Sequence, residues 1–289
     1  LDRNIQSLEW MSPETRQRAL EKLKAINHKI GAPEKWRDFS GVRISRTDYL
    51  ANAISVATDD AQRQMKWIGQ PVDKGLWLMT PQTVNAYYAP PLNEIAFPAG
   101  ILQPPFFDVT KDDAVNFGGI GAVIGHEMTH GFDDSGSKFD AQGNLSNWWT
   151  EESAKNYKLR TAAVVKQFSG YEPIAGLRLN GELTQGENIA DLGGVRIAYY
   201  ALQKALAGKS REKIDGFTPE QRFFLSYATI WSNSIRPEAL RLRVQTDPHS
   251  PGEFRCNGPL SNLDEFAAAF DIPEGAPMRR AKGERVTIW

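Results

Sequence analysis

The sequence predicts an α+β chain, mainly helical, with a small β-sheet beside the helix that carries its chemistry. Three observations support this. Apolar residues recur at helical spacing between capping signals along most of the chain. Residues 76–107 change character, holding short β-prone runs broken by prolines. Residues 113–132 form an apolar, glycine-bearing stretch that ends in two histidines four positions apart.

Taken in order, Ser12 can cap a first helix and Pro13 suits its first position. Leu20, Leu23, Ile26 and Ile30 share one face, and Gly31 ends the helix. His28 falls off that face, as a surface histidine does. A second amphipathic helix runs from Asp48 to Ile68. Val84-Asn85-Ala86-Tyr87-Tyr88 and Ile95-Ala96-Phe97 read as short strands around a Pro-Pro turn. Gln103-Pro104-Pro105-Phe106-Phe107 cannot extend the sheet, because proline lacks the N–H donor. Residues 113–132 read as a buried helix in which Gly118, Gly119, Gly121 and Gly125 each cost about 1 kcal/mol relative to alanine. Glycines there make sense where another backbone or a ligand comes close. Further helices fall at about 151–168, 185–207, 219–233, 237–246 and 263–270, and Thr218-Pro219-Glu220-Gln221 has the form of a capping box.

Composition narrows the function classes. The 289 residues are 41% hydrophobic and 24% charged with a formal net charge of −1, so no basic surface points to nucleic acid or a membrane. No stretch is apolar for long enough to span a bilayer, and residues 1–30 are too charged for a signal peptide. A chain starting at Leu1 reads as a piece of a longer precursor. Cys256 is the only cysteine, which excludes an internal disulfide and a thiolate zinc cluster.

His126-Glu127-Met128-Thr129-His130 fits the pattern H-E-x-x-H. Residues four apart share a helix face, so both imidazoles can reach one ion with Glu127 beside them. The alternative is a pair of hydrogen-bonded core histidines. A catalytic zinc takes three protein ligands and leaves a position open. The metzincin extension needs glycine and histidine where Asp133 and Gly136 stand, so that class is excluded. The third ligand is then a carboxylate or one of the two distant histidines, His28 and His249. Glu187 is the best candidate, with Asp191 four residues on and able to accept the second N–H of a zinc-bound histidine. Thr184-Gln185-Gly186-Glu187 is equally a capping box, which leaves a purely structural Glu187 open. His249 lies in the rigid loop Asp247-Pro248-His249-Ser250-Pro251. It could stabilise an oxyanion, oriented by Asp247, or simply decorate the surface.

These residues, with Val84-Asn85-Ala86-Tyr87-Tyr88, the run from Ile95 to Phe107, Gly125 to Asp134, Gly186 to Gly194, His249-Ser250-Pro251, Phe254-Arg255 and Trp289, resemble the neprilysin and endothelin-converting-enzyme family of zinc metallopeptidases. The resemblance implies a thermolysin-like zincin fold and one zinc ion held by His126, His130 and Glu187, with Asp191 behind them. It implies that Glu127 is the general base and that His249 stabilises the transition state. Asn85 and Ala86 would hold the substrate backbone as an added strand, which suits an edge strand, and Arg255 would grip a substrate carbonyl. Ile101, Phe106, Val123 and Trp231 would line an apolar pocket after the scissile bond, with ordinary core as the alternative.

The expected activity is zinc-dependent endopeptidase hydrolysis of small peptides, on the amino side of large hydrophobic residues. The resemblance covers only the family's catalytic part. It implies one catalytic domain over 1–289, with leading helices over 1–70 and an active-site core over 71–289. It also implies a missing N-terminal helical roof as the natural partner. The lack of paired cysteines resembles bacterial members, for which an extracytoplasmic location is expected. An aminopeptidase would need an acidic anchor where neutral Asn85-Ala86-Tyr87-Tyr88 stands. A binding module with a structural metal would normally need a fourth protein ligand.

Overall fold

The computed structural model describes all residues, 1–289. The chain begins with α1 (Asp2–Ser7) and α2 (Pro13–Lys24), the latter capped by Ser12, whose side chain accepts from the Thr15 amide. The helix ends earlier than the Leu20-Leu23-Ile26-Ile30 spacing predicts. The chain turns at Ala25 and runs on as β1 (Asn27–Gly31), which pairs in parallel with the later strand Glu94–Pro98. The strand wins because its partners lie far along the chain: Asn27 N–H donates to Asn93 O at 2.9 Å, and Ile26 enters the core beneath the sheet. The buried side chain on the strand is Lys29, which pairs with Glu94 at 2.8 Å, while Ile30 is exposed. His28 is exposed, as expected.

The helix α3 (Tyr49–Met65) starts at Asp48, whose side chain accepts from the Ala51 amide, and none of its residues is buried. The strands β2 (Tyr87–Ala89) and β3 (Glu94–Pro98) complete a sheet of order β1-β3-β2, with β2 antiparallel to β3 and at the edge. The ladder therefore begins three residues later than the run starting at Val84 predicts. Asn85 and Ala86 lead into the edge strand instead of belonging to it.

The predicted helix over 113–132 is continuous from Asp113 to His130. It comprises α4 (Asp113–Asn116), a π-helical widening over Phe117–Gly121, and α5 (Ala122–His130). Glycine admits a foreign backbone in three places: an added Cβ would lie 2.1 Å from Phe223 O at Gly118, 2.3 Å from Phe106 O at Gly119 and 2.6 Å from Gly194 O at Gly125. The remaining helices are α6 (Glu151–Ser169), α7 (Gln185–Ala205), α8 (Pro219–Ile230), α9 (Pro237–Thr246), α10 (Gly252–Leu260) and α11 (Asp264–Ala269). The capping box at Thr218 and Gln221 forms. Elements α1, β1 and α10 have no counterpart in the sequence expectation.

Two larger cores flank α7. One gathers Phe132, Trp148, Tyr157, Phe168, Ile189 and the terminal Trp289; the other gathers Leu202, Phe223, Phe224, Tyr227 and Leu260. A smaller one lies beneath the sheet and includes Ala86, Ile95, Ile101 and Val123. No helix is long and apolar enough to cross a membrane.

Candidate active site

The site forms where α5 and α7 cross in backbone contact. Gly125 meets Gly194 on one side, and a Cβ on Gly194 would lie 2.6 Å from His126 N on the other. Only glycine at both positions lets the helix axes approach this closely. The crossing sets His126 and His130 of α5 against Glu187 and Asp191 of α7.

The three candidate ligand groups converge. His126 Nε2 lies 3.3 Å from Glu187 Oε2, His130 Nε2 lies 3.5 Å from Glu187 Oε1, and the two Nε2 atoms are 2.9 Å apart. The opposite ring nitrogens are fixed: His126 Nδ1 faces Asp191 Oδ1 at 2.8 Å, and His130 Nδ1 faces Asp133 Oδ2 at 2.6 Å. A carboxylate at Nδ1 places the proton there and leaves each Nε2 lone pair directed at the other. Two lone pairs and a carboxylate meeting at one point form a donor set for a cation. Ligand atoms about 2.0–2.1 Å from a tetrahedral zinc would lie roughly 3.3 Å apart, close to the spacings observed. The residues fit the metal.

The electrostatics agree. Burial pulls His126 and His130 down, but the carboxylates around them outweigh it and hold both above the ordinary histidine value. Burial would raise Glu187, yet the two histidines hold it well below the usual carboxylate range. Asp191 is likewise low, held against burial chiefly by Arg255. Glu127, 5% exposed, is pushed up by burial.

The capping reading of Glu187 does not hold. Thr184 makes no side-chain cap; its hydroxyl donates to Asn180 O and accepts from Asn188 Nδ2. Glu187 is free to face the histidines.

The loop after α9 brings in His249. Its Nδ1 faces Asp247 Oδ1 at 2.7 Å, and its Nε2 lies 3.3 Å from Glu187 Oε1, so the ring points into the site rather than away from the protein. Arg255, on α10, donates through Nε and Nη2 to Asp191 at 2.8 and 2.9 Å and through Nη2 to Glu187 at 3.3 Å. Its guanidinium carbon lies 3.9 Å from the centre of the Trp231 ring. Arg255 thus braces the two α7 carboxylates. Nη1 takes no part in these bonds.

A cleft of ≈ 460 Å³ runs along the site, with His126, Glu127, His130 and Glu187 in its wall. Asn85, Ala86, Ile101, Phe106, Val123, Trp231, His249 and Arg255 also line it, so every residue expected at the site except Asp191 and Asp247 faces the cleft, and those two stand behind a histidine. Ile101 and Val123 belong at the same time to the core beneath the sheet.

Two features were missed in the sequence. Asp133 supports His130 as Asp191 supports His126; its position three residues beyond the second motif histidine was the available signal. Ser250 donates to Asn188 Oδ1 at 2.8 Å and fastens the His249 loop to α7, a long-range contact with no local signature.

Fold and site together define a metallopeptidase of the H-E-x-x-H class whose third candidate ligand is a glutamate from a second helix. The profile of Peptidase family M13 matches residues 85–286, and an N-terminal profile of the same family matches residues 1–33. The chain belongs to peptidase family M13. It is 41% identical over 297 residues to Neprilysin-3 of Drosophila melanogaster, covering 99% of this chain and 37% of that protein. It is 40% identical over 299 residues to membrane metallo-endopeptidase-like 1 of Homo sapiens, covering 99% and 38%. Among solved structures it is similar to the zinc metalloprotease Zmp1 of Mycobacterium tuberculosis in complex with an inhibitor, with a TM-score of 0.96 and 47% identity over 100% of this chain and 45% of that one. PepO from Lactobacillus rhamnosis gives 0.88 and 35%, covering 100% and 44%. The chain spans about two fifths of the length of the curated relatives it matches.

Proposed function

We propose that the chain is the catalytic part of a zinc-dependent endopeptidase that cleaves small peptides on the amino side of large hydrophobic residues. The observation that carries this reading is the convergence of His126 Nε2, His130 Nε2 and the Glu187 carboxylate beside Glu127 in one open cleft. Zinc held by those three residues would polarise the attacked carbonyl and make water more acidic.

The chain's own groups do the rest. Glu127 takes the proton of the attacking water and returns it to the leaving nitrogen, a role suited to a carboxylate whose burial favours the protonated form. His249, flanked by Asp247 at Nδ1 and Glu187 at Nε2, would direct Nε2–H at the oxyanion as the imidazolium, with Nδ1–H held by Asp247. Asn85 and Ala86 offer backbone groups to an extended substrate, which joins the sheet beyond β2. Arg255 offers Nη1 to a substrate carbonyl. Phe106 and Trp231, with Ile101 and Val123 behind them, take the apolar side chain that follows the scissile bond.

Full activity also needs the remainder of a longer polypeptide. Residues 34–84 lie between the two family matches, and Leu50, Ile54, Met65 and Ile68 recur there at helical spacing and are exposed. An apolar stripe of this kind suits a protein partner. The test is turnover of a short quenched-fluorescence peptide by wild type and Glu127→Gln, with and without the remaining polypeptide. Glu127→Gln should abolish turnover under both conditions and the added polypeptide should raise wild-type turnover. Wild-type rates in Glu127→Gln would refute the general base, and a rate indifferent to the addition would refute the partner.

A further inference from the structure

Lys22 lies on α2, within the segment matched by the N-terminal family profile, and is 1% exposed. A lysine this deeply buried requires partners for its N–H groups. Nζ donates to the carbonyls of Gly131 at 2.6 Å, Gly136 at 2.6 Å and Phe139 at 2.7 Å. The rings of Phe132, Tyr88 and Trp148 surround it at 5.5, 5.8 and 5.8 Å. Burial pulls the amine down to about 7, while three carbonyl acceptors match the three donors of an ammonium.

All three acceptors belong to the loop that leaves the metal-ligand helix. Inside that loop Asp133 accepts from the amides of Ser135 and Gly136 at 2.8 and 2.6 Å through Oδ1, and turns Oδ2 to His130 Nδ1. Asp133 can hold the imidazole only while the loop keeps this shape; α5 ties down its start, where the Phe132 amide donates to Thr129 O at 2.8 Å, and Lys22 ties Gly131, Gly136 and Phe139 to one another.

We infer that Lys22 is a positioning residue of the metal site: by clamping residues 131–139 it holds Asp133 against His130, and so ties the N-terminal segment to zinc affinity. This rests on the zinc site proposed above. A lysine serving only the core would affect stability and leave metal affinity alone.

The test is zinc affinity of the metal-stripped chain, measured by competition with a chromophoric chelator, with circular dichroism to confirm folding. Lys22→Met should bind zinc about tenfold more weakly or worse, within the 10–100-fold range for loss of a group behind a ligating histidine. Adding Lys22→Met to Asp133→Asn should cause no further loss, because both act through one contact. Leu202→Ala, in the core on the far part of α7, should lower stability and leave affinity unchanged. If Lys22→Met does not fold, Lys22→Gln, which keeps an amide donor, carries the same expectation. Affinity within twofold of wild type in a folded variant, or losses from Lys22 and Asp133 that multiply, would overturn the inference. A wild type that binds no zinc would remove the metal site itself, a separately readable result.

Discussion

Replacing Gly125 with alanine tests the helix crossing on which the whole site depends. An added Cβ would lie 2.6 Å from Gly194 O, 2.9 Å from its Cα and 3.1 Å from its carbonyl carbon, all backbone atoms that cannot rotate away. Overpacking of this kind costs about 1–3 kcal/mol, occasionally more. Alanine in a helix interior returns about 1 kcal/mol. The rigid neighbour puts the strain at the upper end, so a net loss of about 2 kcal/mol is expected, a fall in melting temperature of about 4–8 °C at the roughly 2–4 °C per kcal/mol of a chain this large. Relief by separating α5 from α7 would also draw His126 and His130 away from Glu187 and weaken zinc. Gly121→Ala is the internal control: its Cβ would meet nothing nearer than 3.5 Å, so the same propensity gain should appear there without strain. Urea or thermal unfolding and a zinc titration of both variants make the assay. Gly125→Ala as stable as wild type, or both variants equally destabilised, would refute the account of why glycine stands at the crossing.

Glu187→Gln should lose most zinc affinity, since an amide is a far poorer ligand than a carboxylate; unchanged affinity in a chelator competition would return Glu187 to a structural role. Asp191→Asn should keep zinc but bind it about 10–100-fold more weakly in the same assay. His249→Ala should retain zinc and lower kcat about 10²–10³-fold in a preparation with peptidase activity, as loss of one oxyanion donor does. Cys256 is buried, and burial pushes its thiol up to about 12. An aromatic disulfide reagent at pH 8 should therefore leave it unmodified in the native chain and titrate it fully after denaturation.

What the sequence disclosed followed the range of the interactions involved. The H-E-x-x-H pair was legible because four residues on one helix fix its geometry. Capping signals at Ser12 and Thr218 were legible for the same reason: donor and acceptor lie within one turn. The third ligand was only a candidate from the residues, since Glu187 approaches the histidines through a crossing made by Gly125 and Gly194, far apart in sequence. The strand β1 was hidden by a helical apolar spacing that runs on past Lys24, and its decisive partner, β3, lies more than sixty residues away. The helix α10 was missed because Gly252, Gly258 and Pro259 are poor helix formers, held helical by packing of Cys256 and Leu260 into the core. Lys22 was not legible because its carbonyl acceptors lie more than a hundred residues away in the sequence.

The central claim is that His126, His130 and Glu187 share one zinc ion beside Glu127. Diffraction data from zinc-loaded crystals, collected on either side of the zinc absorption edge, test it most directly. The account requires one strong anomalous peak per chain, about 2.0–2.1 Å from both Nε2 atoms and bonded to the Glu187 carboxylate. A zinc peak elsewhere, or one at the two histidines with Glu187 turned away, would contradict it.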